Sequence, residues 1–84
     1  MTQTTYSLEQ VTLIARGRRH AAEGTGRKIR TEAHVTVAQI ASLVGVYPAD
    51  VWRWERGAIP RSKHALAWAQ VLDHLEREVI RPKS

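Results

Sequence analysis

The chain has 84 residues, contains no cysteine and carries a formal net charge of +5 at pH 7. Its length predicts one domain over residues 1–84 and excludes a separate catalytic or ligand-binding domain, because a shorter unit would bury too little apolar surface. The absence of cysteine excludes disulfides and thiolate zinc sites, and the positive charge favours a polyanionic partner.

The first third of the chain predicts two helices. The run Ser7-Leu-Glu-Gln10 has the pattern of a capping box, which favours a helix from Ser7 to about Glu23. Gly24 and Gly26 then interrupt the helical pattern, since each glycine costs a helix roughly 1 kcal/mol relative to alanine. The second helix is therefore placed at about 26–33. The apolar stripe predicted on the first helix consists of Leu8, Val11, Ile14 or Ala15, and Ala22, with Arg16, Arg18 and Arg19 facing solvent.

The middle of the chain predicts two short helices joined by a tight turn. Thr36 is an N-cap candidate, and the turn is placed at Gly45. Pro48 suits the first turn of the following helix, where a missing amide is no loss, and Gly57 ends that helix. The residues that share one face of the earlier helix are Val37, Ile40, Ala41 and Val44.

A long helix is predicted at the C-terminal end of the chain, capped by Ser62 and ended before Pro82. The sequence contains neither strand alternation nor an internal repeat, so the predicted fold class is all-α with about five helices. The apolar stripe of the last helix consists of Ala65, Leu66, Trp68, Ala69, Leu72, Leu75 and Val79.

Residues 36–60 carry a family resemblance. The run Thr36-Val-Ala-Gln-Ile-Ala-Ser-Leu-Val-Gly-Val, followed by Val51-Trp-Arg-Trp-Glu-Arg-Gly and then Pro60, resembles the Xre/Cro/C1 helix-turn-helix family over roughly residues 25–65. The resemblance implies a lambda-repressor-like DNA-binding domain with an extra N-terminal helix and a long C-terminal helix. It places the helix-turn-helix at about 36–56 and the recognition helix, which enters the major groove of DNA, at about 47–55.

The resemblance implies two sets of DNA-contacting residues. Arg53 is the principal base reader, because a guanidinium can hold guanine O6 and N7 together, whereas Pro48 and Ala49 have only apolar groups to offer a thymine methyl. The base-contacting set is Pro48, Ala49, Asp50 and Arg53. The set expected at the DNA backbone is Arg27, Lys28, Thr36, Val37, Tyr47, Trp52, Arg56, Arg61 and Lys63.

Other residues of the motif are expected to have structural roles. In the family the residue matching Glu55 pairs with an arginine of a preceding helix, which implies an ion pair between Arg30 and Glu55. Trp54 is predicted to lie in the core. The departures from the family pattern are Val37 where glutamine is frequent, Tyr47 where serine or threonine is frequent, and Gly26 where an apolar core residue is usual.

Enzyme and metal chemistry find little support in the sequence. The histidines at 20, 34, 64 and 74 are too far apart along the chain to form a metal pair, and no nucleophile–base pair or phosphate-binding glycine loop occurs. We therefore expect no catalytic activity, cofactor, metal or small-molecule ligand. The predicted function is that of a Cro-like repressor of phage or prophage origin bound to double-stranded DNA.

Two alternatives remain open at this level. Val51-Trp-Arg-Trp54 also resembles the recognition helices of excisionase-type architectural proteins, although these need a β-hairpin wing. The chain could instead be an antitoxin or another protein-interaction module. Its C-terminal stripe would then pack on a partner protein. The same stripe would form the interface of a homodimer built through that helix, or it packs on the first helix of the same chain.

The expected localisation is cytoplasmic, with the nucleoid of a bacterial host cell as its place of action. Residues 1–7 do not form a charged leader followed by an apolar run, and no segment approaches the roughly 20 apolar residues that span a bilayer. We therefore expect no membrane partner. Arginine greatly outnumbers lysine, which suggests a high-GC coding bias and an actinobacterial or actinophage source.

Overall fold

The computed structural model describes residues 5–82, and within them it contains five α-helices and no strand. The predicted all-α class is therefore confirmed. None of the helices in this range has the length and apolar character needed to cross a membrane. The helices are α1 (Leu8–Glu23), α2 (Thr25–Glu32), α3 (Val37–Val44), α4 (Pro48–Glu55) and α5 (Ser62–Leu75), and α5 continues into a π-helical turn at Glu76–Ile80.

The predicted helix boundaries at α1 and α3 are confirmed by their caps. The Ser7 hydroxyl accepts a hydrogen bond from the Gln10 amide at 3.1 Å, and the Gln10 side chain accepts one from the Ser7 amide at 2.9 Å. Thr36 and Gln39 form the same reciprocal pair at the start of α3. Each pair satisfies two amides that a helix start leaves without an intrahelical partner.

The turns before α2 and before α4 use glycine in the left-handed region. Gly24 (φ 75°) ends α1, and Gly45 (φ 85°) ends α3. A side chain at a positive φ is strained, so these two glycines allow each helix to stop and the chain to reverse. Gly26 has a different role from the one predicted, because it lies inside α2 and is buried.

The apolar stripe predicted on α1 is correct at Ile14 and wrong at its other positions. The buried residues of α1 are Ile14, Gly17 and Ala21, whereas Leu8 is 84% exposed and Val11 is 50% exposed. Both the predicted set of residues and the buried set recur at helical spacing, so spacing alone does not distinguish the two faces of α1. The face that packs is the one with the small residue, because Gly17 is where α1 crosses the backbone of α5 closely. The exposed residues of the predicted stripe are Leu8, Val11, Ala15 and Ala22.

Two details of the predicted C-terminal helix are also corrected. The N-cap of α5 is Arg61, and Ser62 is already the first helical residue, with its hydroxyl accepting a hydrogen bond from Arg18 at 3.1 Å. Val79 is 50% exposed and Ile80 packs against the core in its place. The segment Glu76–Ile80 is π-helical, with hydrogen bonds between residues five apart, so its side chains no longer follow the α-helical spacing on which the prediction of Val79 rested.

Trp68 lies at the centre of the core and explains the glycine at position 26. It is fully buried, and its ring centroid is 5.3 Å from that of Trp54. A Cβ atom added to Gly26 would lie 2.5 Å from the Trp68 ring. The indole of α5 therefore occupies the space that the resemblance assigns to an apolar side chain on α2.

Gly17 sets the distance between α1 and α5, and its replacement tests this packing. A Cβ atom at this position would lie 2.4 Å from the backbone carbonyl oxygen of Ala65, which no side-chain movement can relieve. Alanine normally stabilises a helix relative to glycine by about 1 kcal/mol. We nevertheless expect Gly17→Ala to lower the free energy of unfolding by about 2 kcal/mol, because the helices must move apart.

Chemical denaturation followed by circular dichroism measures this change. Ala15→Ser, at an exposed position of the same helix, is the control and is expected to change the free energy by less than about 0.5 kcal/mol. A Gly17→Ala protein as stable as the wild type would contradict the close crossing.

Candidate nucleic-acid interface

Helices α3 and α4 form a compact unit around a three-residue turn, Gly45–Tyr47. The amides of Gly45 and Val46 both donate to the carbonyl of Ala41, at 2.8 and 3.0 Å, which closes the end of α3. One face of α4 is buried through Val51 and Trp54, against Ile40 of α3. Because the core holds this face, the opposite face of α4 is directed outward in a fixed orientation.

The outward face of α4 contains the residues expected to contact bases. Pro48, Ala49 and Arg53 are exposed, and Asp50 is half-buried. These four residues occupy the first two turns of the helix, next to the turn from α3. The structure thus brings the expected set together on one surface that is accessible to a large partner.

Asp50 holds both the start of α4 and the side chain of Arg53. Its carboxylate accepts a hydrogen bond from the Tyr47 amide at 3.1 Å, and its other oxygen is paired with the Arg53 guanidinium. Arg53 still has 57% of its side chain exposed. The pair therefore orients the guanidinium along the helix surface and also neutralises the one carboxylate on this face.

Trp52 of α4 and Arg56, the residue that follows the end of this helix, form a second exposed pair. The Arg56 guanidinium carbon lies 3.6 Å from the centroid of the Trp52 ring, and an Arg56 nitrogen also donates to the Trp52 carbonyl at 3.3 Å. Such cation–π stacking keeps the indole flat against the cation. Trp52 is half-exposed, which contrasts with the buried Trp54 and Trp68.

A buried ion pair joins α4 to α2. The Arg30 guanidinium donates to both carboxylate oxygens of Glu55, at 2.5 and 3.0 Å, and donates a third bond to the Val35 carbonyl at 3.0 Å. Only 2% of the Glu55 side chain is exposed. The hydrogen bond with Glu55 raises the pKa of Arg30, although burial acts in the opposite direction. The ion pair implied by the resemblance is thus present in the structure.

The Glu55 pair can be compared directly with the exposed pair between Arg19 and Glu23. In Glu55→Gln the fully charged Arg30 loses its buried counter-ion, and we expect the free energy of unfolding to fall by about 2–3 kcal/mol. Glu23→Gln makes the same chemical change where half of the carboxylate side chain is exposed, and we expect less than about 1 kcal/mol. Denaturant titration measures both changes in the free energy of unfolding. Equal changes would show that the buried pair stabilises the fold no more than the exposed pair does.

The basic residues expected at the DNA backbone are exposed, and all of them except Arg56, which follows the end of α4, lie near helix starts. Arg27 and Lys28 are in the first turn of α2, and Arg61 and Lys63 are at the start of α5. Thr36 differs from them, because its amide and hydroxyl are already occupied by Gln39. A phosphate contact at the Thr36 amide would therefore require the Gln39 side chain to move. Val37 is half-buried and packs against the core, and Tyr47 is 78% exposed.

Arg18 has a role that the sequence did not indicate. Helical spacing predicted that Arg18 faces solvent. In the structure its guanidinium donates to the Pro60 carbonyl at 3.3 Å and to the Ser62 hydroxyl at 3.1 Å. It therefore ties the segment between α4 and α5 to the first helix. These partners are 42 and 44 residues away in the sequence, so no local pattern reveals them.

The four histidines do not form a ligand cluster. Among residues 5–82 there is no group of three side chains able to hold a metal ion. His20 packs edge-on against Trp68, and its Nδ1 lies 2.7 Å from the Thr25 hydroxyl. Burial lowers the pKa of His20, which favours the neutral ring of a packed side chain. His64 packs beside Trp54.

Comparison of the chain with models of known protein families, with curated proteins and with solved structures gave no match in any of the three.

Proposed function

We propose that this chain is a sequence-specific double-stranded DNA-binding regulator that uses α3 and α4 as a helix-turn-helix. The observation that supports this most is the two-sided character of α4. Its inner face is fixed by the core and by the Arg30–Glu55 pair, and its outer face presents Arg53 with no unpaired carboxylate beside it. The resemblance of residues 36–60 to the Xre/Cro/C1 family favours the same interpretation.

The dimensions of α4 suit the major groove of DNA. A helix with its side chains is roughly 10–12 Å across, and the groove is about 12 Å wide. Arg53 lies in the second turn of α4, close enough to the start of the helix to reach a base edge when that end enters the groove. The net charge of +5 adds a salt-dependent attraction to phosphate.

Within DNA binding, we propose a Cro-like repressor of phage or prophage origin that occupies an operator without a ligand. An excisionase-type protein would need a β-hairpin wing, and residues 5–82 contain no strand. The C-terminal stripe from Ala65 to Leu75 is buried within the chain, partly against Gly17 of α1. This packing favours a domain whose C-terminal helix completes its own core over a module that offers this stripe to a partner.

Selection of bound sequences from a random duplex pool, followed by two variants, tests the proposal. Arg53→Ala is expected to remove about 1–3 kcal/mol of preference at one guanine of the selected site, because the bidentate contact is lost. Lys63→Ala is the control: it should weaken binding to all duplexes alike and lower the slope of log affinity against log salt by about 1.

Fluorescence polarisation at several salt concentrations measures both effects. Failure of the wild-type chain to enrich any sequence, together with the absence of salt-dependent binding to duplex DNA, would contradict the proposal. If Arg53→Ala lowers the affinity for all sequences by the same factor, Arg53 contacts the phosphates and does not read a base.

A further inference from the structure

The solvent-facing side of α1 carries a row of residues that the other described helices leave uncovered. Leu8 is 84% exposed and Val11 is 50% exposed. Ala15, Arg18 and Ala22 are exposed further along the helix. These five positions follow one another at intervals of three and four, which is the spacing at which two helices pack along each other. We call this row the outer stripe. The C-terminal stripe, by contrast, is buried within the chain.

Arg18 is the one charged residue of the outer stripe, and its charge is drawn to one side. Its guanidinium donates to the Pro60 carbonyl at 3.3 Å and to the Ser62 hydroxyl at 3.1 Å. The segment between α4 and α5 therefore holds the charged group, and the stem that leads to it is hydrocarbon. Because the other four positions are aliphatic, the outer stripe is suited to packing against a second apolar surface.

The charges along one flank of the outer stripe indicate which partner fits it. Glu9 lies at the start of α1 and forms no ion pair with any of residues 5–82. Arg19 lies on the same flank near the other end of α1, is 75% exposed, and has only one nitrogen occupied, by Glu23. An acid at one end and a base at the other make this flank complementary to a second copy of itself that runs in the opposite direction. A parallel copy would place like charges opposite each other.

We propose that two copies of the chain associate through their outer stripes, as an antiparallel pair of α1 helices related by a two-fold axis at Ala15. In this arrangement Leu8 of one copy lies opposite Ala22 of the other, so a large side chain meets a small one. The two Ala15 residues meet at the axis and allow the helices to approach closely. Glu9 of each copy lies about 3 Å along the helix axis from Arg19 of the other, at a rise of 1.5 Å per residue.

The size of the outer stripe makes this association weak. At 1.5 Å per residue α1 is about 24 Å long, and one narrow face of it buries less than the roughly 1,600 Å² of a standard interface. The net charge of +5 on each copy also opposes association. We therefore expect a dissociation constant on the order of 100 μM, so that the dimer is populated in concentrated solution.

Sedimentation equilibrium of the full chain without DNA measures the association. Samples from about 10 μM to about 1 mM, at low ionic strength, are expected to follow a monomer–dimer equilibrium. Leu8→Ser is expected to weaken the dimer by at least about tenfold, because it removes the largest apolar side chain of the outer stripe from both copies. Since Leu8 is 84% exposed, the variant is expected to keep its fold, which circular dichroism verifies.

Two charge reversals test the antiparallel arrangement. Glu9→Arg and Arg19→Glu are each expected to weaken self-association by about tenfold, because like charges then meet at two places. An equimolar mixture of the two variants is expected to associate within about threefold of the wild-type affinity, since an acid of one chain then meets a base of the other at both places. Glu78→Arg is the control: it changes the net charge as Glu9→Arg does, at an exposed position outside α1, and should leave the dimer within about twofold of wild type.

Three results would overturn the proposal. The first is a chain that stays monomeric up to about 1 mM, ten times the expected dissociation constant. The second is a dimer that Leu8→Ser leaves unchanged, because its interface would then lie elsewhere. The third is a loss of association in both charge variants that mixing them does not restore, because Glu9 and Arg19 would then not meet. None of these measurements involves DNA, so the inference and the proposed function stand or fall separately.

Discussion

The buried pair of Arg30 and Glu55 is the interaction on which the arrangement of the surface depends. A carboxylate with 2% of its side chain exposed is tolerated only with a counter-ion and hydrogen bonds, and Arg30 supplies the charge and one hydrogen bond to each carboxylate oxygen. The same guanidinium also binds the Val35 carbonyl in the segment before α3. One side chain of α2 thus fixes the end of α4 and the entry to α3 together.

This constraint gives α4 two distinct faces. Val51, Trp54 and Glu55 hold the inner face in the core, and the outer residues are left accessible for the recognition that we propose. Asp50 and Arg56 then limit the freedom of Arg53 and Trp52 through an ion pair and a stacking contact. A recognition surface whose side chains are already oriented loses less conformational entropy when it binds.

Local chemistry explains which parts of the fold the sequence predicts. The caps at Ser7 and Thr36, the helix break at Gly24 and the turn at Gly45 depend only on neighbouring residues, and all four are present as predicted. The packed face of α1 depends on α5, because Gly17 meets the Ala65 backbone, and helical spacing alone favoured the wrong stripe. Gly26 is likewise explained only by a distant residue, Trp68, whose ring fills the space next to it.

The three tryptophans permit a direct test of the proposed DNA-binding surface, because Trp52 is half-exposed while Trp54 and Trp68 are buried. We would titrate the selected duplex into uniformly ¹⁵N-labelled chain and follow the three indole N–H signals together with the backbone amides. We expect large shifts for the Trp52 indole and for the amides of Val37, Ala49 and Arg53, and small shifts along the exposed face of α1. Shifts concentrated on α1, with the Trp52 indole unchanged, would contradict the proposed surface.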